Sequence, residues 1–347
     1  MLKVRPICQA DLNSLHDLAG MTGFGLTTLP RDQELLLERI KESEESFRRM
    51  SKRPHGESYL FVMEDPATRR VVGTCGITSK VGGFEPFYTY RIETSVHHSE
   101  MLNVHKEIQT LTLVVEHNGP CEVGSLFLHP DYRREGNGRM LALSRFLFMA
   151  EHRQRFEPVV IAEMRGVIDD HGGSAFWNAV GKHFFEIDFP KADYLSMVNK
   201  RFIADLMPRH PIYVPLLPAE AQAVIGQVHP DTRPALELLK SEGFHVTDMV
   251  DIFEAGPVVS ARQDEIRTIR DSVEAVIEEI VPGPLPAPRM HILNPRPDCR
   301  ICRGPVQALA SGNVCLDADT ARALEVHIDD SIRYAPTHGG PAAKGVS

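Results

Sequence analysis

Arg133-Arg134-Glu135-Gly136-Asn137-Gly138 lies between two apolar stretches, Glu122 to Leu128 and Arg139 to Ala150. In the first, Leu126 and Leu128 alternate with Ser125 and Phe127, and Pro130 follows, so it reads as a strand that then stops. The second carries Leu141, Phe146, Leu147 and Met149 on a wide apolar stripe and reads as a helix. The hexapeptide is then a turn from strand to helix. A helix start leaves its first N–H groups unpaired and carries a partial positive charge. Gly136 and Gly138 flank Asn137 and lack Cβ, so an anion can come close to those amides. Arg133 and Arg134 add charge and fork geometry suited to phosphate oxygens. A pyrophosphate fits such a place. The Gly-Lys-Ser/Thr of a P-loop is absent, and the glycine spacing is not that of a dinucleotide fingerprint.

This order of strand, basic-glycine turn and helix resembles the acyl-CoA-binding turn of the GNAT-type N-acyltransferases, Arg/Gln-x-x-Gly-x-Gly/Ala. Arg133, Gly136 and Gly138 stand on the pattern positions. The resemblance implies an α/β (α+β) GNAT-like acyl-CoA N-acyltransferase fold, with Arg133, Arg134, Gly136, Asn137 and Gly138 as donor-binding residues.

The chain has 347 residues, which suggests two or three domains. Hydrophobic residues make up 42% and charged residues 24%, as in a globular protein. The net charge of −9 argues against a broad nucleic-acid footprint. The N-terminus shows no secretory pattern, and no apolar run is long enough to span a membrane. Six cysteines are sparse for this length, so free thiols and a cytoplasmic location are expected.

Leu2 to Ile7 reads as a first strand, with a helix from Asp11 to Leu18 and a longer amphipathic helix from Asp32 to Met50. Tyr59 to Glu64 and Val71 to Ser79 read as strands paired around Asp65-Pro66-Ala67-Thr68, with further strands at Phe84 to Arg91 and Leu111 to Val115. Val159 to Met164 is a buried strand and Ser174 to Phe185 a helix. A weak echo links Ala175 to Phe189 with Ala235 to Phe253, each reading helix, glycine stop, strand. It suggests two related halves: residues 1–195, which bind acyl-CoA, and residues 196–257, which complete the active site. Residues 258–336, with the proline-rich Val281 to Pro288, read as a small C-terminal β-rich module, and 337–347 as a disordered tail.

From Val4 to about Pro257 the chain closely resembles the arginine N-succinyltransferase family. The resemblance is carried by Glu163-Met164-Arg165-Gly166-Val167-Ile168-Asp169, Phe176-Trp177, Leu206 to Val214, Ile225-Gly226-Gln227-Val228-His229-Pro230 and Asp251-Ile252-Phe253. It implies transfer of succinyl from succinyl-CoA to the α-amine of L-arginine in arginine catabolism, with no permanently bound cofactor. It also implies His229 as the catalytic acid/base and Leu126 as a succinyl-CoA contact. Cys299, Cys302, the preceding prolines and the glycine-rich tail depart from the family pattern.

The chemistry asks for a group that moves a proton near neutral pH, and His229, held extended by Pro230, suits it. No tyrosine lies between Arg133 and Asp193 to serve as the acid many GNAT enzymes use. The acceptor needs acids, with Glu163, Asp169, Asp170 and Asp251 as candidates, and the succinyl carboxylate needs a cation, Arg91 or Arg165. Cys299-x-x-Cys302 is a lone pair, short of a zinc site's four ligands, so no metal is expected. Only Cys121 lies near the motif, which favours direct transfer over an acyl-enzyme. Two rivals remain open: another acyl-CoA or amine such as ornithine, or a non-catalytic subunit that binds acyl-CoA and regulates a paralogue. Homo-oligomers and hetero-oligomers with such a paralogue both fit.

Overall fold

The structure, a computed structural model, describes residues 1–338 apart from Phe24, Thr27 and Met50. β1 (Lys3–Pro6) leads into α1 (Leu12–Gly20) and α2 (Gln33–Arg48). Asp32 caps α2 by accepting the N–H groups of Glu34 and Leu35 at 2.9 and 3.1 Å. β2 (Ser58–Asp65) and β3 (Arg70–Thr78) form the expected hairpin. β4 (Phe87–Ser99) and β5 (Val104–Glu116) run much further than expected, as an arm of paired 13-residue strands. The apolar signal fades past Arg91 because both faces of the arm meet solvent there.

β6 (Cys121–Leu128) feeds the glycine turn and α3 (Asn137–Glu151), and β7 (Val159–Glu163) follows. This is the GNAT-like order that the turn implies. β6 and β7 are parallel but pair only at Cys121↔Val160 and Glu122↔Ile161, then part toward their C-terminal ends. On the other edge of β6, Cys75 of β3 faces both Ser125 and Leu126, a bulge in which Ser125 takes φ +51°. A bulge bends its strand, and this one lies where β6 leaves β7.

The expected helix from Ser174 to Phe185 is broken into α4 (Ala175–Ala179) and α5 (Lys182–Phe185), and Phe189 starts α6 (Phe189–Val198) rather than a strand. The cause is Trp177. Its ring lies where a Cβ of Gly181 would stand, and its Nε1 donates to Ile187 O at 2.9 Å. α7 (Arg201–Leu206), β8 (Ile212–Tyr213), α8 (Ala219–Val224), α9 (Arg233–Ser241), β9 (His245–Asp251) and β10 (Pro257–Arg262) complete one sheet, ordered β1-β2-β3-β6-β7-β10-β9-β4-β5-β8. Residues 196–257 thus add β8 and β9 to the sheet that residues 1–195 build, so the two halves read from the sequence share it. β10 pairs with β7 and β9, so the strand opening residues 258–336 belongs to the sheet as well.

After α10 (Arg267–Arg270) come β11 (Val273–Val281), β12 (Arg289–Asn294), β13 (Arg300–Ala308), β14 (Val314–Asp317), α11 (Ala318–Leu324) and β15 (Ser331–Pro336). Their order, β12-β15-β11-β14-β13, closes through a β12–β13 pairing into a five-stranded barrel. β13 also pairs with β1 at Lys3↔Cys302 and Val4↔Ile301, grafting the barrel onto the sheet. α3 lies between the two and is buried on all sides, which is why its apolar residues are not confined to a stripe. At the end of α9, Glu242 Oε1 accepts Arg267 Nε and Nη2 at 3.1 and 2.5 Å, and Oε2 accepts Thr268 N and Oγ1 at 2.9 and 2.7 Å. Arg267 Nη1 donates on to Pro336 O at 3.2 Å. Cys302 lies in the barrel interior and Cys299 in the core around α3. Among the described residues no helix is long and apolar enough to cross a membrane. Most of the tail, 339–347, is outside the described residues.

Candidate active site

The glycine turn stands at the C-terminal end of β6. Glu135 and Gly136 take φ of +53° and +73°, and Arg133, Arg134, Glu135 and Gly136 are exposed. The amides of Gly138 and Arg139 fall in the first turn of α3, where no helix carbonyl reaches them. Asn137 is buried and braces the turn, its Nδ2 donating to Tyr132 O at 3.1 Å. Arg133 staples the turn to β6, with Nε on Leu128 O at 3.0 Å and the guanidinium 5.5 Å from the Phe127 ring centroid. A Cβ at Gly138 would meet only Leu128 Cδ2 at 3.9 Å, whereas one at Gly136 would lie 2.7 Å from Arg303 Nη1. Leu126 sits in the bulge, half-buried against the core under α3.

His229 emerges beside the end of β7, its N–H donating to Arg165 O at 2.8 Å. Because β6 and β7 are parallel, the imidazole and the glycine turn leave the sheet at the same end, on either side of the gap. His229 Nδ1 accepts the N–H of Asp231 at 3.2 Å, which assigns the neutral ring's proton to Nε2. Burial and the Arg165 charge pull the imidazole below its ordinary pKa, while Asp231 and Asp170 oppose them. His129-Pro130-Asp131 has the same build, with Nδ1 accepting Asp231's counterpart Asp131 at 3.3 Å. One His-Pro-Asp turn therefore precedes α3 and another precedes α9.

Acids gather beside the gap. Glu163 ends β7, has one buried oxygen without a partner, and is pushed well up by burial and by Asp251 and Glu122. Burial raises Asp251 even though the Phe253 and Glu254 amides, at 2.6 and 2.8 Å, favour its charge. Glu254 is raised by burial, Asp251 and Asp193, while accepting Gly166 N–H at 3.2 Å. Asp193, on α6, is pushed up to about 7 by burial and Asp251, and its Oδ1 has no partner. Glu122 is raised by burial against Lys200 and Arg39. Arg165 lies between this cluster and His229, under the loop at Gly25, with a buried Nε that has no partner among the described residues. Each carboxyl of the cluster is raised by burial, and Asp251 raises Glu163, Asp193 and Glu254 further, a setting that an incoming cation relieves.

Through Arg165 and the neighbouring acids, His229, Glu163 and Asp251 form one group of charges that act on each other, while Leu126 and the glycine turn stand on and after β6, which pairs with β7 only at its start. Two further candidates have local partners. Asp169 is exposed and accepts the N–H groups of His171 and Gly173 at 2.9 and 2.7 Å, closing its own turn. Arg91 lies on β4, 3.7 Å from Asp248 of β9. Asp193, Glu254 and Glu122 were missed. None stands in a motif, and the signal available was the acid at the strand end, Glu122 and Glu163 both projecting from strands otherwise apolar.

The family described as arginine N-succinyltransferase beta subunit matches residues 2–268, and its C-terminal domain matches residues 273–336. Arginine N-succinyltransferase subunit beta of Pseudomonas aeruginosa is 46% identical over 334 residues, covering 96% of this chain and 97% of the relative. Arginine N-succinyltransferase of Yersinia pestis is 48% identical over 278 residues, covering 80% and 79%. The solved arginine/ornithine succinyltransferase subunit AI of Pseudomonas aeruginosa superposes with a TM-score of 0.88 at 35% identity, over 98% of this chain and 99% of that one.

Proposed function

Since the chain belongs to the arginine N-succinyltransferase family, we propose that it moves succinyl from succinyl-CoA to the α-amine of L-arginine. The observation that carries this reading is the cluster of Glu163, Asp193, Asp251 and Glu254, set together beside the gap between β6 and β7. An amino acid that carries an ammonium and a guanidinium matches it, and a thioester arm fits the gap, where β6 offers unpaired main-chain groups to an added strand. The diphosphate then lies at Gly136 and Gly138, the acyl carbon near Leu126, and the succinyl carboxylate against Arg165.

The amine nitrogen bonds to the thioester carbon, and the C–S bond breaks as the tetrahedral intermediate collapses. Two protons leave the nitrogen on the way from ammonium to amide; one of them is matched by the proton that reaches the departing thiolate, and the other goes to water. With Nδ1 facing the Asp231 N–H, His229 exchanges protons through Nε2: as the imidazolium it gives one to sulfur, and the neutral ring is recharged by one that the acceptor nitrogen releases. Such a transfer contributes on the order of a hundred- to ten-thousand-fold. An acyl-CoA donor suits a cytoplasmic location, and the exposed β4–β5 arm, tipped by Met101 and Leu102, offers a surface for oligomer contacts.

The purified protein is expected to form CoA from succinyl-CoA with arginine, faster than with ornithine or from acetyl-CoA. Higher kcat/KM for ornithine would move the acceptor assignment, and absence of turnover with every amine and acyl-CoA would sink the enzyme reading.

A further inference from the structure

We propose that Arg303 of the barrel, backed by Arg289, completes the phosphate site at Gly136, so that the diphosphate of acyl-CoA is gripped between the start of α3 and β13. This deepens the acyl-CoA reading above and rests on it.

The alternation of β12 and β13 sets the geometry. Met290, Ile292, Cys302 and Val306 pack in the barrel interior, while Leu293 and Ile301 join the core around α3. Leu293 and Ile301 are cross-strand partners, and the next pair on that outward face is His291 and Arg303. The face that packs on the body of α3 therefore continues to its N-terminus and delivers Arg303 over Gly136, with Nη1 2.7 Å from where a Cβ would stand.

Among the described residues nothing satisfies this corner. Arg303 Nε is buried without a partner, and His291, 1% exposed, has no partner on either ring nitrogen. Arg289 donates to Arg303 O at 2.5 Å, adding a like charge beside it. Burial and Arg289 lower the Arg303 pKa, and Glu135 alone opposes them. The charges that act on His291 are Arg303, Arg267, Arg139 and His338, all positive when protonated. An unpaired buried donor and crowded guanidinium groups are costly without an anion. A diphosphate supplies oxygens for the guanidinium fork and for the helix amides together. The barrel then has a binding role that the glycine turn alone does not reveal.

The test is titration of the full chain with CoA, 3′-dephospho-CoA and pantetheine. Arg303→Gln is expected to weaken CoA and dephospho-CoA equally, by about tenfold or more, and to leave pantetheine unchanged. Arg303→Lys is expected to fall between. The ligand-free Arg303→Gln protein should melt no lower than wild type, since an uncompensated cation has been removed. Unchanged CoA affinity would overturn the proposal. So would a loss for CoA but not dephospho-CoA, which would point to the 3′-phosphate, or an equal loss for pantetheine, which would point to general distortion. These readouts need no turnover. A wild type that binds no CoA sinks the acyl-CoA reading itself, and one that binds CoA without succinylating arginine sinks only the substrate assignment.

Discussion

Asp193 titrates near neutrality because burial and the charge of Asp251 act in the same direction. A carboxyl whose folded pKa, about 7, lies above its ordinary 3.8 keeps a proton that the unfolded chain releases. Its stabilising contribution is therefore full below the ordinary value and lost as pH rises through 7. Asp193→Asn removes that loss. The ligand-free variant should melt above wild type at pH 8, with the gap closing toward pH 4, and a pH-independent gap would refute the assignment. His229→Ala should lower kcat at least about a hundredfold while leaving the CoA dissociation constant unchanged. In wild type the alkaline limb of kcat/KM set by the His229 imidazolium should lie below the 6.5 or so of free imidazole, because burial and Arg165 disfavour the charged ring. His229 and Glu163 could be read in the sequence because each stands in a distinctive run, Glu163 at a strand end and His229 before a proline. Asp193 could not. It lies on α6 between ordinary residues, and only the fold carries it to Asp251.

At the scale of elements, the strand–turn–helix was legible because alternation, proline and glycines mark its parts locally. The bulge at Ser125–Leu126 was not, since it depends on register against β3. Nor was the break between α4 and α5, which follows from where one tryptophan ring packs. Gly136 is required twice over, by its positive φ and by the guanidinium above it. Gly136→Ala should therefore weaken CoA binding, measured by titration, and cost about 1 kcal/mol or more in chemical denaturation. Glu242→Ala strands Arg267 in a site where it is 7% exposed, and should cost about 3–5 kcal/mol. A cost below about 1 kcal/mol would show that water reaches the guanidinium.

For the whole molecule, α3 makes sheet and barrel one cooperative body. Besides the β1–β13 pairing, Arg333 Nε meets Glu151 Oε2 at 2.7 Å across the junction. Calorimetry of the full chain should give a single transition, and a chain ending at residue 271 should aggregate because Phe146, Leu147 and their neighbours lose their cover. Two calorimetric transitions would separate the bodies. The sequence hid this union because each contact across it joins residues far apart in the chain, whereas the β-rich character of residues 258–336 could be read locally.

α9 starts at the turn that holds His229 and stops at Glu242, which is fastened to α10 and through Arg267 to the last strand of the barrel. A short rod thus joins the imidazole to the body that carries Arg303. Whatever settles on the arginine end steadies the other end before the amino acid comes in. The order of arrival should follow from it: nucleotide thioester first, amino acid second, with free CoA inhibiting competitively against the thioester and noncompetitively against the amine.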